Sequence, residues 1–141
     1  EFDLKKKIWT IPASRMKGRI VHRVPLSSPA ISLLERLHEC RGRSSLVFPS
    51  PKAGTVLTDM ALTSFLRKHK AISDTPDRPA TAHGFRSSFR DWASENNYPR
   101  DHAERALAHT INNAVEAAYH RTDLLEQRRD MMQNWADFVL S

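Results

Sequence analysis

Two hydrophobic rhythms alternate along the chain. From Leu4 to Pro12 (LKKKIWTIP) an aromatic and β-branched residues run up to a proline, the pattern of a strand. Ser14 to Gly18 (SRMKG) reads as a turn, and Arg19 to Leu26 (RIVHRVPL) as a returning strand. A β-hairpin is therefore predicted over 4–26, with Lys17 at its tip. Beyond it the apolar spacing becomes helical. Ser28 and Pro29 form an N-cap and first-turn pair, followed by Ile31, Leu34 and Leu37 on one face. Leu46 to Pro51 (LVFPSP) is short and extended. Thr58 and Asp59 open a second helix with Leu62, Phe65, Leu66 and His69 together on one face.

The stretch from Ser73 to Pro79, with two prolines and two aspartates, is predicted to be a loop. A longer helix spans about Ala82 to Asn96, with Phe85, Phe89, Trp92 and Ala93 as its apolar stripe. Another runs from Asp101 to near Leu107. Asn113 and Glu116 then make a capping-box-like pair ahead of a short helix bearing Tyr119. The final amphipathic helix runs from Leu124 to Val139, with Leu125, Met132, Ala136 and Val139 on one side. The expected fold is mainly α, with a small antiparallel β-sheet or hairpin at the N-terminal side. It is read as one domain over 1–141: the hairpin over 4–26 and a helical body over 28–141.

Composition narrows this picture. The 141 residues suffice for one ordinary domain, and 40% are hydrophobic, which excludes a disordered tail. The one cysteine, Cys40, has no partner for an internal disulfide, and no apolar run approaches the ~18 residues of a membrane span. A cytoplasmic, nucleoid-associated protein is expected. The net charge of +6 is unevenly placed: residues 1–25 hold seven Lys/Arg against two acids, and residues 41–70 hold six against one. Two basic segments on a slightly acidic body suit a polyanion-binding face, and they equally suit ordinary solvated surface.

Four polar residues of the second half stand outside the packing pattern. His83 and Arg86, three apart on one helix, project from neighbouring positions. His109 falls at a helix end, where it serves either as a cap or as chemistry. Tyr119 follows ten residues later, after the small Ala117 and Ala118. Phosphoryl transfer asks for these types: a nucleophile, a cation for the non-bridging oxygens, and imidazoles to move protons. A free phenol has a pKa of about 10, so only ~0.1% is ionised at pH 7, and roughly 4 kcal/mol must be offset by neighbours. A lone tyrosine would not suffice. Each residue also has an ordinary structural role open to it, and their joint order carries the argument.

That order resembles the C-terminal catalytic domain of the tyrosine recombinases, and most the integrases of prophages and genomic islands. The carrying residues are Arg15-Met16-Lys17, His22-Arg23-Val24-Pro25-Leu26-Ser27, His83-Gly84-Phe85-Arg86, Leu107-Ala108-His109 and Ala117-Ala118-Tyr119. The resemblance covers about residues 4–139. It implies that Tyr119 attacks the scissile phosphate to form a 3′-phosphotyrosyl bond and release a 5′-hydroxyl. Arg86 would hold the non-bridging oxygens, and Lys17 would act as general acid. His83 would assist proton transfer at the tyrosine, and His109 would hydrogen-bond the phosphate. Arg15, Lys17, Arg19 and Arg23 become candidate DNA contacts. No metal or other cofactor is implied. The implied partners are double-stranded attachment sites, a homotetramer on DNA, an excisionase and a DNA-bending host factor. The stripe of Leu125, Met132, Trp135 and Val139 would dock on a neighbouring protomer, or else pack in its own core.

One departure matters. The family uses an earlier arginine upstream of the lysine hairpin, and none of Arg15, Arg19 or Arg23 matches it. The chain is therefore read as a fragment of a longer recombinase, its own activity in doubt. The alternatives are a non-catalytic basic DNA-binding module, a tyrosine-based topoisomerase and a metal-dependent nuclease.

Overall fold

The computed structural model describes residues 1–40, 42, 44–52, 55–109 and 122–141. Ile8, Trp9, Thr10 and Ile11 prefer extended backbone, and they form strand β2 (Ile8–Ile11) between β1 (Phe2–Asp3) and β3 (His22–Pro25). The sheet is antiparallel in the order β1-β2-β3, with Phe2 opposite Trp9, and Ile8, Trp9, Thr10 and Ile11 opposite Pro25, Val24, Arg23 and His22. The predicted hairpin is present, in shorter strands than its sequence spans. The residues Leu4 to Lys7, expected to open the first strand, turn instead. Asp3 Oδ1 accepts the Lys6 N–H (2.9 Å), Lys7 takes a left-handed φ of 57°, and Phe2 stacks on Trp9 with ring centroids 5.3 Å apart.

Five helices follow among the described residues: α1 (Ser28–Cys40), α2 (Met60–Lys68), α3 (Gly84–Glu95), α4 (Arg100–Ala106) and α5 (Gln127–Leu140). The result is the mainly helical α+β architecture expected from the sequence. Contacts divide it into two compact units, 1–32 with 89–141, and 33–88.

The first unit holds the sheet and the buried core. Phe89, Trp92 and Ala93 on α3, Ala103 on α4, Leu107 and Met131 on α5 form one cluster, with Tyr98, Met132 and Trp135 packed against it. Trp92 lies 5.2 Å from both Tyr98 and Trp135 by ring centroids. Three stripe residues of α3 are thus buried as the spacing requires, whereas Phe85 is 57% exposed. Ser27, rather than Ser28, caps α1, its carbonyl accepting the Ile31 N–H at 3.0 Å. The Ser28 N–H is taken by the Gln133 side chain at 2.8 Å.

The last helix starts later than its apolar pattern suggested, at Gln127, because Leu124 adopts a left-handed φ of 51°. Its inward face also differs from the stripe read in the sequence. Leu125 is buried as expected, but Arg128 and Met131 are the fully buried residues and Val139 is 56% exposed. Leu125 and Trp135, two of the residues considered for docking on a neighbour, are engaged in their own unit.

Helices α3 and α4, which both precede His109, end in the same way. At the end of α3 the Asn97 N–H reaches the Ser94 carbonyl and the Tyr98 N–H reaches Ala93, with Asn97 at φ 60°. At the end of α4 the Ala108 N–H reaches Arg105 and the His109 N–H reaches Glu104, with Ala108 at φ 52°. These are Schellman closures, whose paired bonds satisfy otherwise orphaned carbonyls.

In the second unit, α2 presents Leu62 (65%) and Phe65 (58%) to solvent, so its expected apolar face is not a buried one. The loop expected between Ser73 and Pro79 is pinned by an antiparallel bridge from Ile72 to Pro79, and a second bridge joins Pro49 to Val56.

Candidate functional site

His83 and Arg86 sit at the start of α3. The Thr81 hydroxyl accepts the Gly84 N–H at 3.0 Å, and the Thr81 carbonyl accepts it at 3.0 Å as well, so Thr81 serves as the helix cap. Glycine at position 84 lets that hydroxyl approach: a Cβ there would lie 3.3 Å from Thr81 Oγ1. The Arg86 N–H donates to the His83 carbonyl at 3.0 Å, which sets both residues in the first turn. A helix N-terminus carries unpaired amides and partial positive charge, so a guanidinium and an imidazole placed there add to an anion-attracting end. Arg86 is half-buried and His83 exposed.

His109 occupies the third residue beyond α4, where the closure fixes its backbone. Its Nδ1 lies 2.5 Å from Glu104 Oε2, and Glu104 Oε1 accepts from Arg90 Nε at 2.8 Å. Arg90 Nη1 bonds the Ser94 hydroxyl in turn. Partial burial of Glu104 opposes its ionisation, but the hydrogen bonds from His109 and Arg90 outweigh that and hold its carboxyl below the ordinary range. The two roles left open for His109, cap and chemistry, are therefore compatible: the backbone closes the helix while the ring is held by Glu104.

Lys17 lies exposed in the turn between β2 and β3, where the Arg19 N–H closes back on the Met16 carbonyl at 3.0 Å and Arg19 takes a φ of 54°. The other basic residues of this segment divide. Arg15 donates from Nη1 to both carboxylate oxygens of Glu1 (2.7 and 2.6 Å), and Arg23 grips Asp123 in a bidentate fork, Nε to Oδ2 and Nη2 to Oδ1 (2.7 Å each). Lys17 and Arg19 form no ion pair with a described residue. Arg15 and Arg23 would have to leave a carboxylate before taking another anion.

Lys17 and His109 belong to the first unit, His83 and Arg86 to the second. Tyr119, the alanines before it, and the Asn113–Glu116 pair lie outside the described residues. A hollow in the second unit is lined by Arg67, Lys70, Ile72 and Arg78, among others, and by none of the candidate residues. Among the described residues there is no group of three His, Cys, Asp or Glu able to hold a metal ion, and no helix long and apolar enough to cross a membrane.

The sequence reading passed over Glu104, Arg90, Asp123 and Arg128. The signal for Glu104 was present in its spacing. A Schellman closure brings a residue of the last turn next to the one five positions on, which pairs 104 with 109.

Comparison with known proteins assigns the chain to a family. The profile of the phage integrase family matches residues 1–125. The prophage integrase IntA of Escherichia coli K12 is 39% identical over 140 residues, covering 99% of this chain and 33% of that protein. The integrase of Enterobacteria phage P4 is 37% identical over 154 residues, covering 99% and 34%, and that of Shigella phage Sf6 is 32% identical over 147, covering 97% and 35%. The chain belongs to the phage integrase family. It spans about a third of the length of these relatives. No solved structure gives a significant match.

Proposed function

We propose that the chain is the catalytic part of a site-specific DNA recombinase that integrates or excises a mobile element. The observation that carries this reading is the family match over residues 1–125, which spans Lys17, His83, Arg86, His109 and Tyr119 together. The phenol oxygen of Tyr119 attacks the scissile phosphorus and the bond to the 5′-oxygen breaks. The phenolic proton passes toward His83, and Lys17 gives a proton to the leaving 5′-oxygen. Arg86 and His109 stabilise the phosphoryl oxygens as charge builds. The 3′-phosphotyrosyl bond keeps the energy of the original linkage, so rejoining to another strand needs no nucleotide. The cation-bearing N-terminus of α3 and the held ring of His109 support these roles.

In this reading the DNA partners are the element's attachment sites. Four protomers act on them together, with an excisionase and a DNA-bending host protein setting direction.

The test is a nicked duplex carrying the element–chromosome junction, incubated with the intact gene product in the presence of chelator. Wild-type protein is expected to form an adduct that survives detergent and carries a 3′-phosphotyrosine. Tyr119→Phe is expected to bind the same duplex equally well and form none. Salt-sensitive binding without any adduct would leave a DNA-binding module. Supercoil relaxation without exchange between two marked duplexes would indicate a topoisomerase.

A further inference from the structure

Glu104 touches His109 twice: its carbonyl accepts the His109 N–H at 3.0 Å, and its carboxylate meets the ring at Nδ1, 2.5 Å away. The carboxylate is itself anchored by Arg90 Nε at 2.8 Å. We infer that Glu104, braced by Arg90, is a positioning residue for His109, committing Nδ1–H to itself and leaving Nε2 as the nitrogen offered to a DNA phosphate. The inference rests on the recombinase reading for the phosphate and on the geometry alone for the ring.

The chemistry follows from what each group can donate. An ionised carboxylate only accepts hydrogen bonds, so Nδ1 must carry a proton to sit against it. In the neutral ring Nε2 then has a lone pair and repels a phosphoryl oxygen. Nε2 becomes a donor only when the ring carries both protons. The Glu104 contact therefore selects the tautomer: with Nδ1 committed to the carboxylate, Nε2 is the nitrogen left to take up a proton and donate it to a phosphoryl oxygen, as carboxylates arrange for other functional histidines. Arg90 offsets the negative charge that Glu104 would otherwise hold near the DNA. With side-chain exposures of 45% for His109 and 25% for Glu104, the ring is open to a ligand while its brace is largely covered.

Two measurements decide the matter. Long-range nitrogen–proton correlation on this chain reads the His109 tautomer directly. The neutral ring is expected to carry its proton on Nδ1, and to lose that preference in Glu104→Ala. A ring protonated on Nε2 in the wild-type chain overturns the inference whatever the protein's activity. The second is a double-mutant cycle in the adduct assay on the intact gene product. Glu104→Ala is expected to slow adduct formation about 10–100-fold with DNA affinity unchanged, and His109→Ala about 10²–10³-fold. Glu104→Ala should add nothing in the His109→Ala background, because it acts through that ring. An equal penalty in both backgrounds, or a wild-type rate for Glu104→Ala, overturns it. Glu104→Gln, which keeps shape and an accepting oxygen, covers the case in which the alanine variant misfolds and should fall between wild type and alanine. Absence of any adduct from the wild-type protein would instead defeat the recombinase reading and leave the tautomer result standing.

Discussion

Arg128 is the most exacting residue of the first unit. It has no exposed surface, its Nη2 donates to the Arg23 carbonyl at 2.9 Å, and Nε and Nη1 have no described partner. Among the described residues its acidic partner is Asp123, with an oxygen 3.9 Å away. Two unit charges at that distance attract by about 4 kcal/mol at an effective dielectric of 20. Asp123 keeps 34% of its side-chain surface, so solvent screening reduces this to about 2 kcal/mol. The exposed bidentate pair with Arg23 adds up to about 1 kcal/mol. Asp123→Ala should therefore cost about 3 kcal/mol, or roughly 10 °C in melting temperature. Most of that loss reflects a buried charge left without compensation. Arg128→Met, which removes the charge and fills the space, should stay within about 1 kcal/mol of wild type. In the Arg128→Met background, Asp123→Ala should cost only about 1 kcal/mol. Urea unfolding of the four chains at pH 7 measures the cycle. If Asp123→Ala costs the same in both backgrounds, the carboxylate does not compensate Arg128 and the reasoning fails.

Two further outcomes follow from the elements around His109. Ala108 holds a left-handed φ of 52°, a conformation that costs an L-residue about 1–2 kcal/mol and glycine little, whereas glycine loses about 0.4–1 kcal/mol through the unfolded chain. Ala108→Gly should thus stabilise by up to about 1 kcal/mol in urea, and a destabilised variant would mean that the closure of α4 is not under strain. Glu104 has its carboxyl held below the ordinary 4.5, so the stability it contributes is fully present above that value and is lost as pH falls through the lower folded value. The gap in urea midpoint between wild type and Glu104→Gln should be steady above pH 5 and shrink toward pH 3; a gap that widens on acidification would reverse the sign assigned here.

How much of this was legible in the sequence depended on the range of the interaction involved. The hairpin, the α3 stripe and the ends of α3 and α4 are set by neighbours within a turn or two, and they appear where their patterns place them except that Leu4 to Lys7 turn and Phe85 is exposed. Ile8 and Trp9 favour strand locally, and Phe89, Trp92 and Ala93 recur at helical spacing whatever lies opposite. The candidate residues were legible through the order of His83, Arg86, His109 and Tyr119, an order that needs no three-dimensional knowledge. What escaped was settled across the chain. Arg128 reads as one more exposed cation beside Arg129, and only the Arg23 carbonyl, 105 positions away, gives it a buried role. Arg15 and Arg23 read as two more basic residues of the hairpin, and only the fold shows each held by a carboxylate, Glu1 and Asp123. The apolar residues of α2 share one face by their spacing, yet Leu62 and Phe65 remain exposed. Periodicity says which side of a helix is apolar, and the rest of the fold decides whether that side is covered. The same division governs the site. A motif names the groups that carry charge and protons, while their working state, such as which nitrogen of His109 holds the proton, is set by partners the motif omits. Glu104 is such a partner, and its five-residue spacing from His109 becomes meaningful only once Ala108 turns the chain back on itself.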